Sequence, residues 1–211
     1  MKTLLYIHGM GGGGDSRIPR ELSELIPELR TVVRTYSFDP EVGYRQIQAW
    51  MQELQPSLVV GESLGASQTL RVRGVPHILV SPALGAPENL YRRAWIARFA
   101  LGRWLLHKKF PVKEGDRQEL IFTYPVMSRY REHWARAQST AREELAAGGY
   151  FFAFFGRYDH FMRSGVVKIS ACEELFGKDS YRIYDGSHFM EEQYVASLLV
   201  PKIREVLALQ K

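Results

Sequence analysis

Cysteine is all but missing from this chain: Cys172 stands alone among 211 residues. No intramolecular disulfide can therefore brace the fold, and a reducing compartment suits it. Long apolar runs are missing too. The opening segment MKTLLYIHGM carries a lysine and a short apolar run, but that run stops at His8 and Gly9, too early for a secretory core or a bilayer span. No later stretch is long and uncharged enough to cross a membrane, which predicts a cytoplasmic protein without a transmembrane segment. Internal repeats are absent, and low-complexity sequence is confined to the four glycines Gly11 to Gly14.

What is present suits one globular unit. With 45% hydrophobic residues, 211 residues support one substantial core and are short for two, so residues 1–211 read as a single domain. A formal charge of +5 and a pI near 9.3 permit nucleic-acid binding, yet a basic balance of this size is common on plain enzymes, and no nucleic-acid partner is expected. The basic residues do gather in one place. In YRRAWIARFALGRWLLHKKF, Arg92, Arg93, Arg98, Arg103, Lys108 and Lys109 interleave with tryptophan and phenylalanine.

Six short apolar runs, at residues 3–7, 31–36, 57–60, 76–80, 150–155 and 180–184, read as strands, several of them β-branched or aromatic and each followed by a turn residue. Helical patterns such as RELSELIPELR, YRQIQAWMQEL and ASQTLRVR alternate with the first four. That alternation predicts an α/β fold, with a mostly parallel six-stranded sheet and helices on both faces. A last helical pattern runs from Glu191 to about Leu209 despite Pro201. The alternation breaks once, over residues 84–148, where helical patterns follow one another without a convincing strand. This stretch reads as a helical insertion after the fourth strand.

Gly61-Glu62-Ser63-Leu64-Gly65 fits G-x-S-x-G, a pattern that ordinary glycine and serine usage produces by chance in roughly one chain in ten of this length. Its setting sharpens it. SLVV before it reads as a strand and ASQTLRVR after it as a helix, the strand-turn-helix context in which a nucleophilic serine is exposed at a sheet edge. The alternative is an ordinary loop serine. A serine hydroxyl reacts at neutral pH only with a base to take its proton and an acid to orient that base. His188 follows the last strand and Asp159 follows the fifth, so both should emerge at the same carboxyl edge as Ser63. The order Ser63, Asp159, His188 is the order such folds use. The other five histidines lie elsewhere: His77 begins a strand, His107 and His133 fall in the insertion, and His160 follows Asp159. Asp185 and Asp179, which flank the last strand, are competitors for the acid. Ser81 and Pro82 hold the place after the fourth strand, where an acid stands in some hydrolases.

The first loop invites two readings. Gly9, Gly11 and Gly14 fit G-x-G-x-x-G, with Asp39 after the second strand, on paper a dinucleotide fingerprint. That fingerprint needs a helix to begin within the glycines so that its N-terminus meets a pyrophosphate, whereas Asp15, Ser16 and Pro19 mark a later start. Alternatively, the His8-Gly9 pair after the strand places a backbone N–H near Met10 as an oxyanion donor, with the Leu64 amide as the second. The first and third strands should then be neighbours, with the second outside the first and a switch point between them.

Together LLYIHGM, GESLGAS, LVSPALGAP, FFGRYDHF and YDGSHF resemble the α/β-hydrolase superfamily, and within it the small bacterial esterase-like branch typified by YqiA. The resemblance covers most of the chain and thins over residues 84–148. It implies Ser63 as nucleophile, His188 as general base and acid, Asp159 as orienting acid, the Met10 and Leu64 amides as oxyanion donors, and hydrolysis of a small-molecule carboxylic ester with neither metal nor organic cofactor. Ala66 departs from the family where a second glycine is frequent. By the same resemblance the insertion becomes a cap, with Trp95, Phe99 and Trp104 facing an acyl chain and His8 and Gly9 lining the site. Its arginines read either as a solvated face or as a contact for an acidic head group or an anionic membrane. Thioester hydrolysis and acyl transfer use the same groups, and a non-catalytic member of the fold that binds a ligand or partner is a further alternative. No oligomeric state follows.

Overall fold

Strands buried on both faces should be nearly continuous in apolar residues, and the central ones here are. The computed structural model describes residues 1–111 and 114–208. Val112 and Lys113 inside the expected insertion, and Leu209 at the far end of the expected last helix, lie outside the described residues. The strands are β1 (Thr3–Ile7), β2 (Arg30–Val33), β3 (Leu58–Glu62), β4 (His77–Val80), β5 (Phe151–Gly156) and β6 (Tyr181–Tyr184). All run parallel in the order β2-β1-β3-β4-β5-β6. β1 and β4 are buried along their whole length, while the edge strands β2 and β6 are partly exposed.

The chain winds outward from β1 to β2, crosses back to β3 and continues to β6, so the switch point lies between β1 and β3, as the reading above requires. Helix α1 (Arg17–Leu25) packs Ile18 and Leu22 with Leu4 and Tyr6 on one face, together with Val195, Leu199 and Ile203 from the C-terminal helices. On the opposite face, α2 (Pro40–Leu54) sets Ile47 against Leu5, Ile7 and Val59. Ala66 of α3 (Gly65–Thr69) and Leu70 just beyond it join a separate cluster with Leu79 and Phe155. Each such leucine, isoleucine or phenylalanine withdrawn from water contributes about 1.5–3 kcal/mol.

Between β4 and β5 the described residues form only helices and irregular chain. These are α4 (Ala86–Arg93), a 3-10 turn (Ala94–Arg98), α5 (Ala100–Lys109) and α6 (Tyr124–Ala146). The last does two jobs. Its first turns put Val126, Met127 and Tyr130 into a cluster with Phe38, Leu64 and Phe122, beyond the strand ends. Its later turns bury Ala137 and Ala141 against Leu79, Ala153 and Phe155, so this half is the crossover helix that covers the sheet. α7 (Ile169–Phe176) completes that face with Cys172 and Leu175. Burial pushes the Cys172 thiol up to about 11, so it stays protonated.

Three helical expectations end differently. RELSELIPELR stops at Leu25, because Pro27 has no N–H and biases Ile26 away from helix. ASQTLRVR is helical only to Thr69, after which Arg71 and Val72 donate to the carbonyls three residues back and the chain turns toward β4. The C-terminal pattern runs as α8 (Glu192–Tyr194), a wider π turn (Val195–Leu199) and α9 (Val200–Ala208). The π turn ends two residues before Pro201 and spans the turn whose carbonyls the proline ring would otherwise meet.

Candidate active site

β3 ends one residue before Ser63, and α3 begins two residues after it, so the chain reverses direction around this serine. Ser63 takes φ 50°, a left-handed conformation that costs a side-chain-bearing residue about 1–3 kcal/mol. The neighbouring strand end holds it there. The Ser63 N–H donates to the Val80 carbonyl at 2.9 Å, and its own carbonyl accepts from Ala83 N–H at 3.0 Å and Ala66 N–H at 3.2 Å. Ser81, in that neighbouring segment, is likewise left-handed at φ 45°. Both motif glycines are required by contact. A Cβ on Gly65 would stand 2.3 Å from the His8 carbonyl oxygen, and one on Gly61 would stand 2.2 Å from Thr69 Oγ1. Gly9 is tight but less so, its absent Cβ meeting Ser63 Cβ at 3.0 Å.

His188 lies in the loop after β6 and Asp159 in the loop after β5, and both are buried. His188 Nε2 is 2.9 Å from Ser63 Oγ, and His188 Nδ1 is 2.7 Å from Asp159 Oδ2. The other carboxylate oxygen accepts the Phe161 N–H at 2.8 Å. A carboxylate can only accept, so Nδ1 carries the proton and Nε2 offers its lone pair to the serine hydroxyl. The two loops are laced together: Arg157 N–H donates to Tyr184 O, and Tyr158 N–H to Gly186 O. Gly156 has no room for a side chain, with the Ser187 carbonyl oxygen 2.2 Å from its ideal Cβ. Rings of Phe161 and Phe189 meet the His188 imidazole edge-on at 4.7 and 5.2 Å. The rival acids are engaged elsewhere: Asp185 is exposed and bonded to Arg157 at 2.6 Å, and Asp179 precedes β6, at the end opposite His188.

Met10 occupies the second position of a turn closed by Gly12 N–H to Gly9 O at 3.0 Å, with Gly11 at φ 69° as such a turn demands. Met10 and Leu64 both border the space above Ser63 Oγ, and among the described residues their amides meet no acceptor. The remaining glycines neither flex freely nor open a phosphate loop. The Asp116 carbonyl oxygen would lie 1.7 Å from a Cβ on Gly13, and Asp116 Oδ2 would lie 2.1 Å from one on Gly14. Helix α1 starts only at Arg17, after the glycines, and Asp15 pairs with Arg117 at 2.8 Å. The nucleotide fingerprint therefore has neither its helix nor its vacant cradle.

The Alpha/beta hydrolase family model matches residues 4–206. This chain belongs to that family. Among solved structures, the hydrolase is similar to Est1E from Butyrivibrio proteoclasticus, solved with ferulic acid bound (TM-score 0.67, 13% identity, 99% of this chain and 90% of that one). It is also similar to the thioesterase domain of the curacin biosynthetic pathway (TM-score 0.59, 14% identity, 96% and 91%). A third is FphF, a fluorophosphonate-binding serine hydrolase of Staphylococcus aureus (TM-score 0.59, 13% identity, 98% and 84%). At these identities the likeness is one of fold. No curated protein matches the chain in sequence.

Three spaces meet at Ser63 of the hydrolase; one, of about 270 Å³, runs past Phe110, Leu120 and His188, and the other two differ in polarity. The larger of these two, of about 320 Å³, is apolar and bordered by Leu64, Leu90, Leu106, Phe122, Met127 and Phe161. The other, of about 220 Å³, is polar and bordered by Glu62, His188, Arg17 and Arg117. Trp95, Phe99 and Trp104, expected to face an acyl chain, border none of the three; they are 61%, 60% and 55% exposed to solvent. Helical spacing alone does not say which stripe faces inward, and α5 turns Leu106 to the cavity while Trp104 faces out. His8 is another correction. It is fully buried behind the loop, stacked 4.4 Å from Tyr36, and burial pushes its pKa down to about 4. Gly9, by contrast, does border the polar space. The lining residues Leu90, Phe122 and Phe161 carried no signal in sequence, because each is one apolar residue among many.

Proposed function

We propose that this alpha/beta hydrolase is a serine carboxylic-ester hydrolase that works through an acyl-enzyme. The observation that carries the reading is the unbroken chain Asp159, His188, Ser63, with contacts of 2.7 and 2.9 Å ending on a left-handed serine. In this reading Ser63 Oγ attacks the ester carbonyl while His188 Nε2 takes its proton, and the amides of Met10 and Leu64 receive the oxyanion. The imidazolium, balanced by Asp159, then gives the proton to the departing alcohol oxygen. Water repeats the sequence on the acyl-enzyme, releasing the acid and restoring Ser63.

Proton delivery assigns the spaces. The leaving oxygen must lie near His188, which borders the polar space and the space beside Phe110 but not the apolar cavity, so the alcohol part occupies the His188 side. The acyl chain then fills the apolar cavity under α4, α5 and α6, where Met10 and Leu64 stand beside Ser63. At about 320 Å³ this cavity is near the small end of ligand pockets, which span about 300–1,000 Å³ and suit a small or medium acyl group. The helices between β4 and β5 act as the cap that selects it.

A graded series of nitrophenyl esters, with a matched thioester and an added alcohol acceptor, tests this with wild type and Ser63→Ala. Turnover should peak at short to medium chains and fall by about 10³-fold or more in the variant. Hydrolysis surviving in purified Ser63→Ala would remove the serine from the mechanism.

A further inference from the structure

The 3-10 turn and α5 form a hairpin whose outer surface is at odds with a water-facing protein. Trp95, Phe99, Leu101, Trp104 and Leu105 fall within eleven residues and are all at least half exposed. Scattered exposed apolar residues are ordinary, but a contiguous group marks a contact surface. The hairpin is built to hold them out. Gly102 lies against the 3-10 turn so closely that a Cβ would stand 2.1 Å from the Ile96 carbonyl oxygen, and Arg103 donates to the Ala97 and Arg98 carbonyls at 3.2 Å. Ala97 and Gly102 are buried between the two arms, which leaves the large side chains on the outside.

Charge decides what covers this surface. Residues 94–111, which hold the 3-10 turn and α5, contain four Lys or Arg and neither Asp nor Glu, and Arg93 adjoins them, while Arg92 is paired with Glu88 at 2.6 Å. Long cationic stems lie along the aromatic faces: Lys108 Nζ stands 5.1 Å from the Trp104 ring and the Arg98 guanidinium 4.4 Å from Tyr124. An apolar centre framed by cations that can extend outward fits a layer with hydrocarbon inside and negative charge at its surface. A second copy packed face to face would press the four cations Arg98, Arg103, Lys108 and Lys109 against their four equivalents. Phosphates of a nucleic acid would satisfy the arginines but leave Leu101 and Leu105 with nothing to bury against.

We infer that the 3-10 turn and α5 form a docking surface for an anionic lipid bilayer. Tryptophan, phenylalanine and leucine enter the headgroup boundary, and Arg98 and Lys108 meet lipid phosphates. No helix among the described residues is long and apolar enough to cross a membrane, so the contact is peripheral. Leu106, Lys109 and Phe110 of the same region border the spaces at Ser63, so docking sets the acyl cavity beside the lipid.

Cosedimentation of the 211-residue Ser63→Ala chain with vesicles tests this independently of any hydrolysis. The vesicles are phosphatidylcholine alone, or phosphatidylcholine with one-third phosphatidylglycerol, at physiological salt. Binding should appear with the anionic vesicles and weaken steeply as salt rises. Combined Arg98→Gln and Lys108→Gln should weaken it about 25-fold, at about fivefold for each cation lost. Combined Trp95→Ser, Phe99→Ser and Trp104→Ser should weaken it about tenfold or more. Control changes at the exposed Arg30 and Arg182 should leave it within about twofold. Circular dichroism confirms that each variant is folded. No sedimentation with anionic vesicles, or equal loss from the control pair, would overturn the inference. So would a concentration-dependent dimer in ultracentrifugation that the aromatic variant abolishes while vesicles leave the protein in solution, or tighter capture by single-stranded RNA than by vesicles.

Discussion

Ser63 can hold its left-handed backbone because every neighbour leaves it no other course: Val80 and Ala83 bond its peptide groups, and Gly61, Gly65 and Gly9 let three chain segments close around it. The motif glycines were legible in sequence because their spacing is tied to the turn. Gly156 was not, since its need arises from a loop thirty residues further on. Replacing Gly65 by alanine should therefore cost about 1–3 kcal/mol in urea unfolding and most of the turnover, because the new Cβ has to displace the His8 carbonyl. Asp159→Asn should keep KM nearly unchanged and lower kcat about 10³–10⁴-fold, since an amide can present its N–H to Nδ1 and hold the imidazole in the wrong tautomer. A loss confined to KM would assign Asp159 to binding instead. Sequence favoured Asp159 but left Asp185, three residues from His188, as a competitor; the exposed pairing of Asp185 with Arg157 is visible only in three dimensions.

At the scale of elements, strands were readable to within a few residues because burial on both faces leaves a run of apolar residues with no competing period. Helix ends were less so. Pro27 stops α1 and a π turn precedes Pro201, both local effects that a periodic pattern overlooks. The stretch between β4 and β5 was legible as helical but not as divided. α6 serves the cavity with Met127 and the sheet with Ala137, a split that one long amphipathic pattern conceals. A buried chain also joins α6 to the turn after Ser63: Arg71 Nη1 donates to His133 Nδ1, His133 Nε2–H to Ser67 Oγ, and the Ser67 hydroxyl to the Leu64 carbonyl. The apolar cavity proposed to take the acyl chain gives the sharpest test at this scale. Leu90→Trp, which fills the space from α4, should reduce kcat/KM for the longest accepted ester about tenfold or more while leaving the acetate nearly unchanged. A uniform loss across the series would mean that α4 does not border the acyl chain.

For the whole molecule, stability should depend on pH through groups remote from turnover. Burial pushes His8 and His77 down to about 4, and burial followed by the charge of Arg71 pushes His133 down to about 3. The unfolded chain takes up these protons near pH 6.5, whereas the folded protein refuses them until the depressed values are reached. Stability is therefore undiminished by them above pH 6.5 and falls between about 6.5 and 4, by up to about 1.4 kcal/mol per pH unit for each histidine. Urea midpoints across that range should show the decline, and His133→Gln should remove about a third of its slope; a flat profile would contradict the buried neutral state. The global layout, with three loops delivering three side chains to one rim of a parallel sheet, was readable from chain order. The outward face of α5 was not, because nothing in a helical repeat tells inside from outside. The central claim is that Ser63 Oγ is activated by His188 as base. Its most direct measurement is the rate at which a fluorophosphonate modifies the protein, followed by intact mass and mapped by peptide. The account predicts a single adduct on the peptide containing Ser63, formed about 10³-fold or more slowly in His188→Ala. Labelling at another residue, or at Ser63 with an undiminished rate without the imidazole, would contradict it.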